Sequence, residues 1–411
     1  MKPKLNSGVW CESDSHFRYE YYPDFNEWID NDDNLAIQEK FKIEGLANPS
    51  KAFFAGDNEA YNQAFQEYRE ERINQILGEE FILDNFGDRH WFERNIERFE
   101  QLENYLIDGS VVPFVGAGLS VESGFPTWRK HLIQQGRTSG LDTAHVEDLL
   151  NNGQYETVIQ EIETQGYRDA FIQELRDVFS KIGKITPTTL RLTELFSDTI
   201  ITTNYDHILE QVYSTGAQNN IQLLDSSNIT DRVDINKTTI IKLHGDIKQP
   251  TRCIISKNQY DAAYGNGALD LALPIPKVLS YHYRTSNLLF LGCSLNRDRT
   301  MDVFQAVKNQ MGDTDRPQHF SIESMPDNEA ELTVRNNYLL SFGITPIWFP
   351  KGSYDFIEQI LRLAKNEMRY RGNIPGVRKA VEEKVLVVTT TTEKPTWRKK
   401  TISFISKLFG N

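Results

Sequence analysis

The sequence predicts an α/β protein: a Rossmann-like parallel sheet with a large helical insertion, no zinc module, and a helical N-terminal extension. Three observations carry this. From Val111 onward, short apolar runs alternate with segments of helical period, the pattern of a parallel sheet covered on both faces. The first run, Val111 to Val115, opens into Gly116-Ala117-Gly118-Leu119-Ser120, a strand entering a glycine-rich turn. Such a turn lets backbone N–H groups come close to a diphosphate. Between Leu141 and Phe196 the apolar residues keep a helical period and no strand pattern interrupts them.

In chain order, residues 1–108 read as the N-terminal extension. Glu12 to Asp33 mixes carboxylates with Phe17, Tyr19, Tyr21, Tyr22, Phe25 and Trp28, and so many aromatics predict packing or a partner contact rather than a disordered tail. Glu59–Ile76 and Trp91–Ile107 read as amphipathic helices. Residues 109–370 form the sheet domain, with the insertion at about 141–197. Thr127–Gln135 is expected to be helical, Pro126 suiting its start. Strands are then expected at Thr199–Thr203, Ile221–Leu224, Thr239–Leu243, Cys253–Ser256, Leu288–Leu291, His319–Ile322 and Thr345–Trp348. Helices are expected at Asp206–Tyr213, from Asn258, and at Asp298–Gln310, Asp327–Leu340 and Tyr354–Asn366. Residues 371–411 form a C-terminal tail. In it, Lys384–Thr392 is β-branched and suits an edge or assembly strand. The basic Arg398, Lys399 and Lys400 then precede a short apolar end.

Composition narrows the function. The 411 residues carry a formal charge of −13. That balance is wrong for sequence-independent nucleic-acid binding, which needs cations to displace counterions. No apolar run is long enough to cross a bilayer, and no export leader stands at Met1. Cys11, Cys253 and Cys293 are far apart and form no Cys-x-x-Cys pair, so neither a disulfide framework nor a cysteine metal site is supported. The expected compartment is the reducing cytoplasm.

Four segments fall at predicted strand ends: Gly116 to Ser120, Thr202-Thr203-Asn204-Tyr205-Asp206, Leu243-His244-Gly245-Asp246, and Leu291-Gly292-Cys293-Ser294-Leu295-Asn296. They are expected along one edge of the sheet, where ligands of such folds sit. Taken singly, each has a bland reading. The glycine turn can be a tight strand-to-helix turn that binds nothing, Asn204 and Asp206 can cap the following helix, His244 can be structural, and Trp128 can be a core residue. His207 is read as structural, and Cys293 has no base beside it to make it a nucleophile.

Taken together and in this order, the segments resemble the sirtuins. That family carries a Gly-Ala-Gly-x-Ser turn with a following Gly-x-Pro, a Thr-Gln-Asn-x-Asp segment, a Leu-His-Gly histidine and a Gly-Thr-Ser loop. The resemblance runs from about Val111 to Asn366. The departures are Thr127-Trp128 in the first loop, Thr203 before the asparagine, Gly292-Cys293-Ser294 in the last loop, and the absent cysteine pairs of the zinc module. Missing zinc and a helical insertion make the chain similar to sirtuin-like effectors of bacterial anti-phage systems, which hydrolyse NAD. The flanking segments resemble the sirtuin-like subunit that assembles with a HerA-type ring ATPase.

The resemblance implies the following roles. Gly116, Ala117, Gly118 and Ser120 hold the diphosphate, and Arg129 reaches a phosphate. Asn204 places a water or ribose hydroxyl. Asp206 orients the nicotinamide end or supports the sugar cation, and His244, titrating near neutrality, is the base. Trp128 covers the reacting face. Gly292, Ser294 and Asn296 receive the adenosine side. NAD is then the substrate, with no further cofactor and no metal. The implied assembly is a homo-oligomer in complex with a HerA-type ring ATPase or helicase, without direct nucleic-acid or membrane contact. The competing readings are a regulatory module that binds NAD or ADP-ribose without turnover, and a deacylase or ADP-ribosyltransferase.

Overall fold

The computed structural model describes residues 19–371 apart from 88, 215–220, 231, 297 and 313–315. The expected strand Lys384–Thr392 and the basic end lie outside the described residues. A seven-stranded sheet forms the centre, in the order β3-β4-β2-β1-β5-β6-β7. The strands are β1 (Val111–Val115), β2 (Thr199–Thr202), β3 (Ile221–Asp225), β4 (Thr238–Lys242), β5 (Asn287–Leu291), β6 (His319–Ser324) and β7 (Ile344–Phe349). Every pairing is parallel. Burial on both faces explains the near-continuous apolar runs: β5 and β7 are buried at every position. The register aligns the strand ends. Val115 pairs with Thr202 and with Leu291, and Thr202 pairs with Lys242. The four loops that carry the sequence motifs therefore leave the sheet at one edge, on either side of the central β1.

The helices before the sheet are α1 (Pro23–Asp30), α2 (Leu35–Lys40), α3 (Pro49–Gly56), α4 (Asn58–Ile76), α5 (Glu79–Phe86) and α6 (Arg89–Ile107). Phe17 lies outside the described residues; from Tyr19 onward the N-terminal aromatics pack, one of the two expected outcomes. Phe25, Phe53, Phe54, Tyr61, Phe65 and Tyr68 form a second core, with Tyr19, Tyr22 and Trp28 against it. Helix α6 seals the edge strand β7, whose outward backbone groups need partners. The Asn95 amide accepts from Trp348 N at 2.8 Å and donates to Trp348 O at 2.9 Å, and Arg98 donates to Pro346 O.

After β1 come α7 (Trp128–Thr138), α8 (Thr143–Asn151), α9 (Tyr155–Thr164), α10 (Arg168–Phe179) and α11 (Pro187–Leu195). The Thr127 side chain caps α7 by accepting from Lys130 N. The remaining helices are α12 (Ile208–Ser214), α13 (Lys257–Tyr264), α14 (Pro274–Thr285), α15 (Arg299–Met311), α16 (Glu329–Ser341) and α17 (Phe356–Tyr370). Arg299 at the start of α15 binds Glu156 of α9 and Asp261 of α13, tying the inserted helices to the sheet domain.

One expected strand is absent. Cys253–Ser256 follows a short 3-10 turn, Pro250–Arg252, and joins no ladder. Its backbone donors go elsewhere: Ile254 N to His244 O, and both Ile255 N and Ser256 N to the Gln259 side chain. Ser256 and Gln259 form the capping box of α13, so the apolar residues serve a helix start.

Candidate active site

Two N–H groups of the glycine turn serve the packing of the loops. Gly116 N donates to Leu291 O and Gly118 N donates to Gly292 O, both at 2.9 Å. These two N–H groups are spent on the loop after β5 and are not available to a diphosphate. A Cβ on Gly116 would stand 2.5 Å from Gly292 O, and one on Gly118 would stand 2.8 Å from it. The glycines are thus required for loop-to-loop approach. Ala117 opens the 3-10 turn Ala117–Ser120 that brings Ser120 inward, 1% exposed.

Ser120 joins the first two motifs. Its Oγ accepts from Asn204 Nδ2 at 3.1 Å, and it acts to lower the Asp206 pKa. Asn204 is further held by its own N–H, which donates to Thr202 Oγ1 at 3.0 Å. Its Oδ1 is buried and has no hydrogen-bond partner. A buried acceptor left open is costly, and here it points to a missing donor such as a hydroxyl or water. Asp206 does cap the next helix, accepting from Ile208 N at 3.1 Å, which moves the start of α12 two residues beyond expectation. Burial raises the Asp206 pKa, opposed by Ile208 N–H, Lys242 and Ser120.

His244 shares the edge but not the expected chemistry. Its backbone accepts from Ile254 N at 2.8 Å, and Ile254 O accepts from the Tyr205 hydroxyl at 2.7 Å, which links His244 to the Asn204 turn. Its Nε2 lies 2.9 Å from Tyr264 Oη and its Nδ1 3.4 Å from Tyr260 Oη. Burial lowers its pKa to about 4. The near-neutral titration expected from sequence is therefore corrected: at pH 7 this imidazole is neutral, and both nitrogens face tyrosines.

The other candidates divide. Trp128 stacks on His131 and lies 5.4 Å from the Tyr205 ring, beside Asn204, with Phe171 and Phe179 of α10 behind it. Arg129 instead bonds Asn151 at the end of α8. Gly292 has φ +64° and touches the first loop, whereas Ser294 and Asn296 are exposed. Cys293 is held against Phe114 O and Leu291 O, and burial raises its pKa, as an inert thiol requires.

Sequence reasoning missed three groups. Tyr260 and Tyr264 come from α13. Arg335 of α16 donates to Ser294 O and Leu295 O while pairing with Glu323, and so holds the last loop where Leu295 has φ +44°. Lys242 is buried beneath the Asn204 turn. A lysine closing an apolar strand was the one signal visible in advance. Two cavities lie elsewhere. One of about 450 Å³ is bounded by α4, α11 and α17, and one of about 360 Å³ lies between α13 and α15. Neither is lined by Gly116, Asn204 or His244. The larger is walled by paired charges such as Arg69–Glu367 and Arg362–Asp24, so its size does not make it the site.

Residues 198–347 match the model of the SIR2-like domain. The matched span runs from β2 to β7 and contains Asn204, Asp206, His244 and Gly292. It begins after the glycine turn. Among curated proteins, the chain is 26% identical over 280 residues to NAD(+) hydrolase ThsA of Bacillus cereus strain MSX-D12, covering 64% of this chain and 56% of that protein. To NAD(+) hydrolase ThsA of Enterococcus faecium it is 28% identical over 228 residues, 55% of this chain and 45% of the other. To the protein of that name from Acinetobacter baumannii strain 532279 it is 26% identical over 223 residues, 54% and 44%. The chain thus spans about half the length of the curated relatives it matches. Among the described residues, no helix is long and apolar enough to cross a membrane.

Proposed function

We propose that this chain cleaves the nicotinamide–ribose bond of NAD, giving nicotinamide and ADP-ribose, and that it serves as the NAD-depleting effector of an anti-phage system. The observation that carries the reading is Asn204: a buried amide fixed by Ser120, with its oxygen open, at the carboxyl edge of a sheet whose matched relatives are NAD hydrolases. The reaction passes through an oxocarbenium-like sugar, as in glycoside hydrolysis. Asn204 Oδ1 accepts from the attacking water or a ribose hydroxyl. Asp206, two residues on, supplies negative charge toward the cation. His244, neutral at the working pH, offers a lone pair once a tyrosine hydroxyl gives way. Gly292 and the outer face of the 116–120 turn border the nucleotide, with Ser294 and Asn296 exposed at the rim. Trp128 closes the reacting face.

The same reading includes a homo-oligomer paired with a HerA-type ring ATPase. It rests on the resemblance of the flanking segments, and on the harm that unregulated NAD loss would do a host. The test is incubation of the full chain with NAD, alone and with such an ATPase, following nicotinamide. Asn204→Ala protein that keeps the wild-type rate removes the assignment. One observation favours a second reading: both His244 nitrogens are engaged, as suits a module that binds NAD without cutting it. Tight binding with NAD recovered intact selects that reading.

A further inference from the structure

Lys242 ends β4 with its side chain 1% exposed. Its ammonium donates to Tyr205 O at 3.1 Å, to Asp206 O at 2.6 Å and to Glu210 Oε1 at 2.9 Å. Asp246 Oδ1 lies 3.8 Å away and is itself 2.6 Å from His207 Nε2. Removing an ammonium from water is costly, so its contacts must offset that loss. All three of its hydrogens are used. Two go to main-chain carbonyls, and both carbonyls belong to the turn that carries Asn204.

The surroundings sharpen the point. His207, Glu210 and Asp246 bring one ligand atom each within 4.8 Å of one another, a grouping suited to a divalent cation. The lysine ammonium already lies against two of the three. We propose that Lys242 is a positioning residue: an internal cation in the place a metal would take, which fixes the peptides after Tyr205 and Asp206 and so aims the Asn204 amide. Ser120 holds that amide from the side chain, Thr202 holds its N–H, and Lys242 holds the carbonyls that follow. The catalytic consequence rests on the NAD-cleavage reading; the ordering of the turn does not.

The alternative role is plain charge balance for Glu210. Glu210→Gln separates the two, because it removes the ion pair with Glu210 and leaves Asp246 at 3.8 Å and both carbonyl contacts. The experiment compares full-length wild type, Lys242→Arg, Glu210→Gln and the double variant Lys242→Met/Glu210→Gln, which buries no unpaired charge at 210. Hydrogen exchange is read by mass spectrometry on peptides spanning 203–207, beside kcat and KM for NAD. In the double variant, exchange in the turn is expected to rise about tenfold or more. Its kcat is expected to fall on the order of 100-fold with KM little changed, as for a misplaced group. Lys242→Arg restores part of both, and Glu210→Gln alone stays near wild type. Unchanged exchange in the double variant overturns the proposal, as does a Glu210→Gln loss equal to that of the double. If wild type does not consume NAD, exchange still decides the positioning role and only the cleavage reading fails. Zinc bound one-to-one by wild type, and lost in His207→Ala, would show a metal where the ammonium is placed and also overturns it.

Discussion

Ser120 Oγ and Asn204 Nδ2 meet at 3.1 Å, a bond between the turns after β1 and β2. It decides which end of the Asn204 amide is held and which is open. Ser120→Ala frees the amide to turn and leaves a buried donor unpaired, at about 1–3 kcal/mol. Nicotinamide release is expected to fall severalfold in Ser120→Ala and roughly 100-fold in Asn204→Ala, as when a preorganised polar group is lost. Initial rates at saturating NAD check this. A Ser120→Ala enzyme less active than Asn204→Ala would break the ordering.

The contact between the first and last loops predicts a steric result. Gly292 has φ +64°, and a Cβ there would lie 2.4 Å from Leu119 N. Gly292→Ala therefore combines backbone strain with a clash against main chain, and about 2–4 kcal/mol of stability is expected to be lost. Gly118→Ala meets Gly292 O at 2.8 Å at ordinary φ and is expected to cost less. Thermal unfolding of both variants tests the order. Gly124→Ala is the control for positive φ alone: φ is +98° there with no neighbour within 4 Å.

Burial of neutral histidines predicts acid sensitivity. Burial lowers the pKa of His131 and His244 to about 4 and of His319 to about 3, against about 6.5 unfolded. Each folded site resists a proton that the unfolded chain accepts. Their stabilisation is full above pH 6.5 and is lost as pH falls from there toward 4, on the order of 1–3 kcal/mol each. Glu103 runs the other way. Burial raises its pKa to about 7 despite Arg371, so its ionisation lowers stability as pH rises from 4.5 to 7. Glu103→Gln is expected to raise the melting temperature at pH 8 and hardly at pH 4. Melting curves from pH 4 to 8 check both slopes, and a flat wild-type profile below pH 6.5 contradicts the histidine account.

Much of the sheet was legible because a parallel strand buried on both faces writes an unbroken apolar run. The seven strands of the described sheet were all expected, although β3 and β6 are interrupted by polar residues, and the four loops followed as strand ends. Cys253–Ser256 was misread because an apolar run looks the same whether its N–H groups join a ladder or cap a helix. The role of the glycine turn was left open for a related reason. Local sequence shows that a Cβ is forbidden, but whether a phosphate or Gly292 forbids it is a tertiary matter. Tyr260, Tyr264 and Arg335 depend on how α13 and α16 sit against the sheet edge, which periodicity does not fix. His244 looked like a neutral-range base because sequence carries no measure of its burial.

The tyrosines around His244 predict its tautomer. Tyr205 gives its only hydroxyl proton to Ile254 O at 2.7 Å. The shorter of the two contacts to His244, from Tyr264 Oη to Nε2, is read as the donated hydroxyl, and the longer one, at 3.4 Å to Tyr260 Oη, as accepting from Nδ1–H. Nε2 is left as the lone pair, receiving the Tyr264 hydroxyl at 2.9 Å. With the pKa held near 4 by burial, His244 is expected to show the Nδ1–H neutral form in nitrogen NMR from pH 5.5 to 8, with no titration. Tyr264→Phe keeps the tautomer but opens the lone pair, and turnover of NAD is expected to rise severalfold because no hydroxyl has to be displaced first. A midpoint near 6.5 in wild type, or a signal from Nε2–H, defeats the assignment; slower turnover in a fully folded Tyr264→Phe shows instead that the hydroxyl supports the imidazole in catalysis.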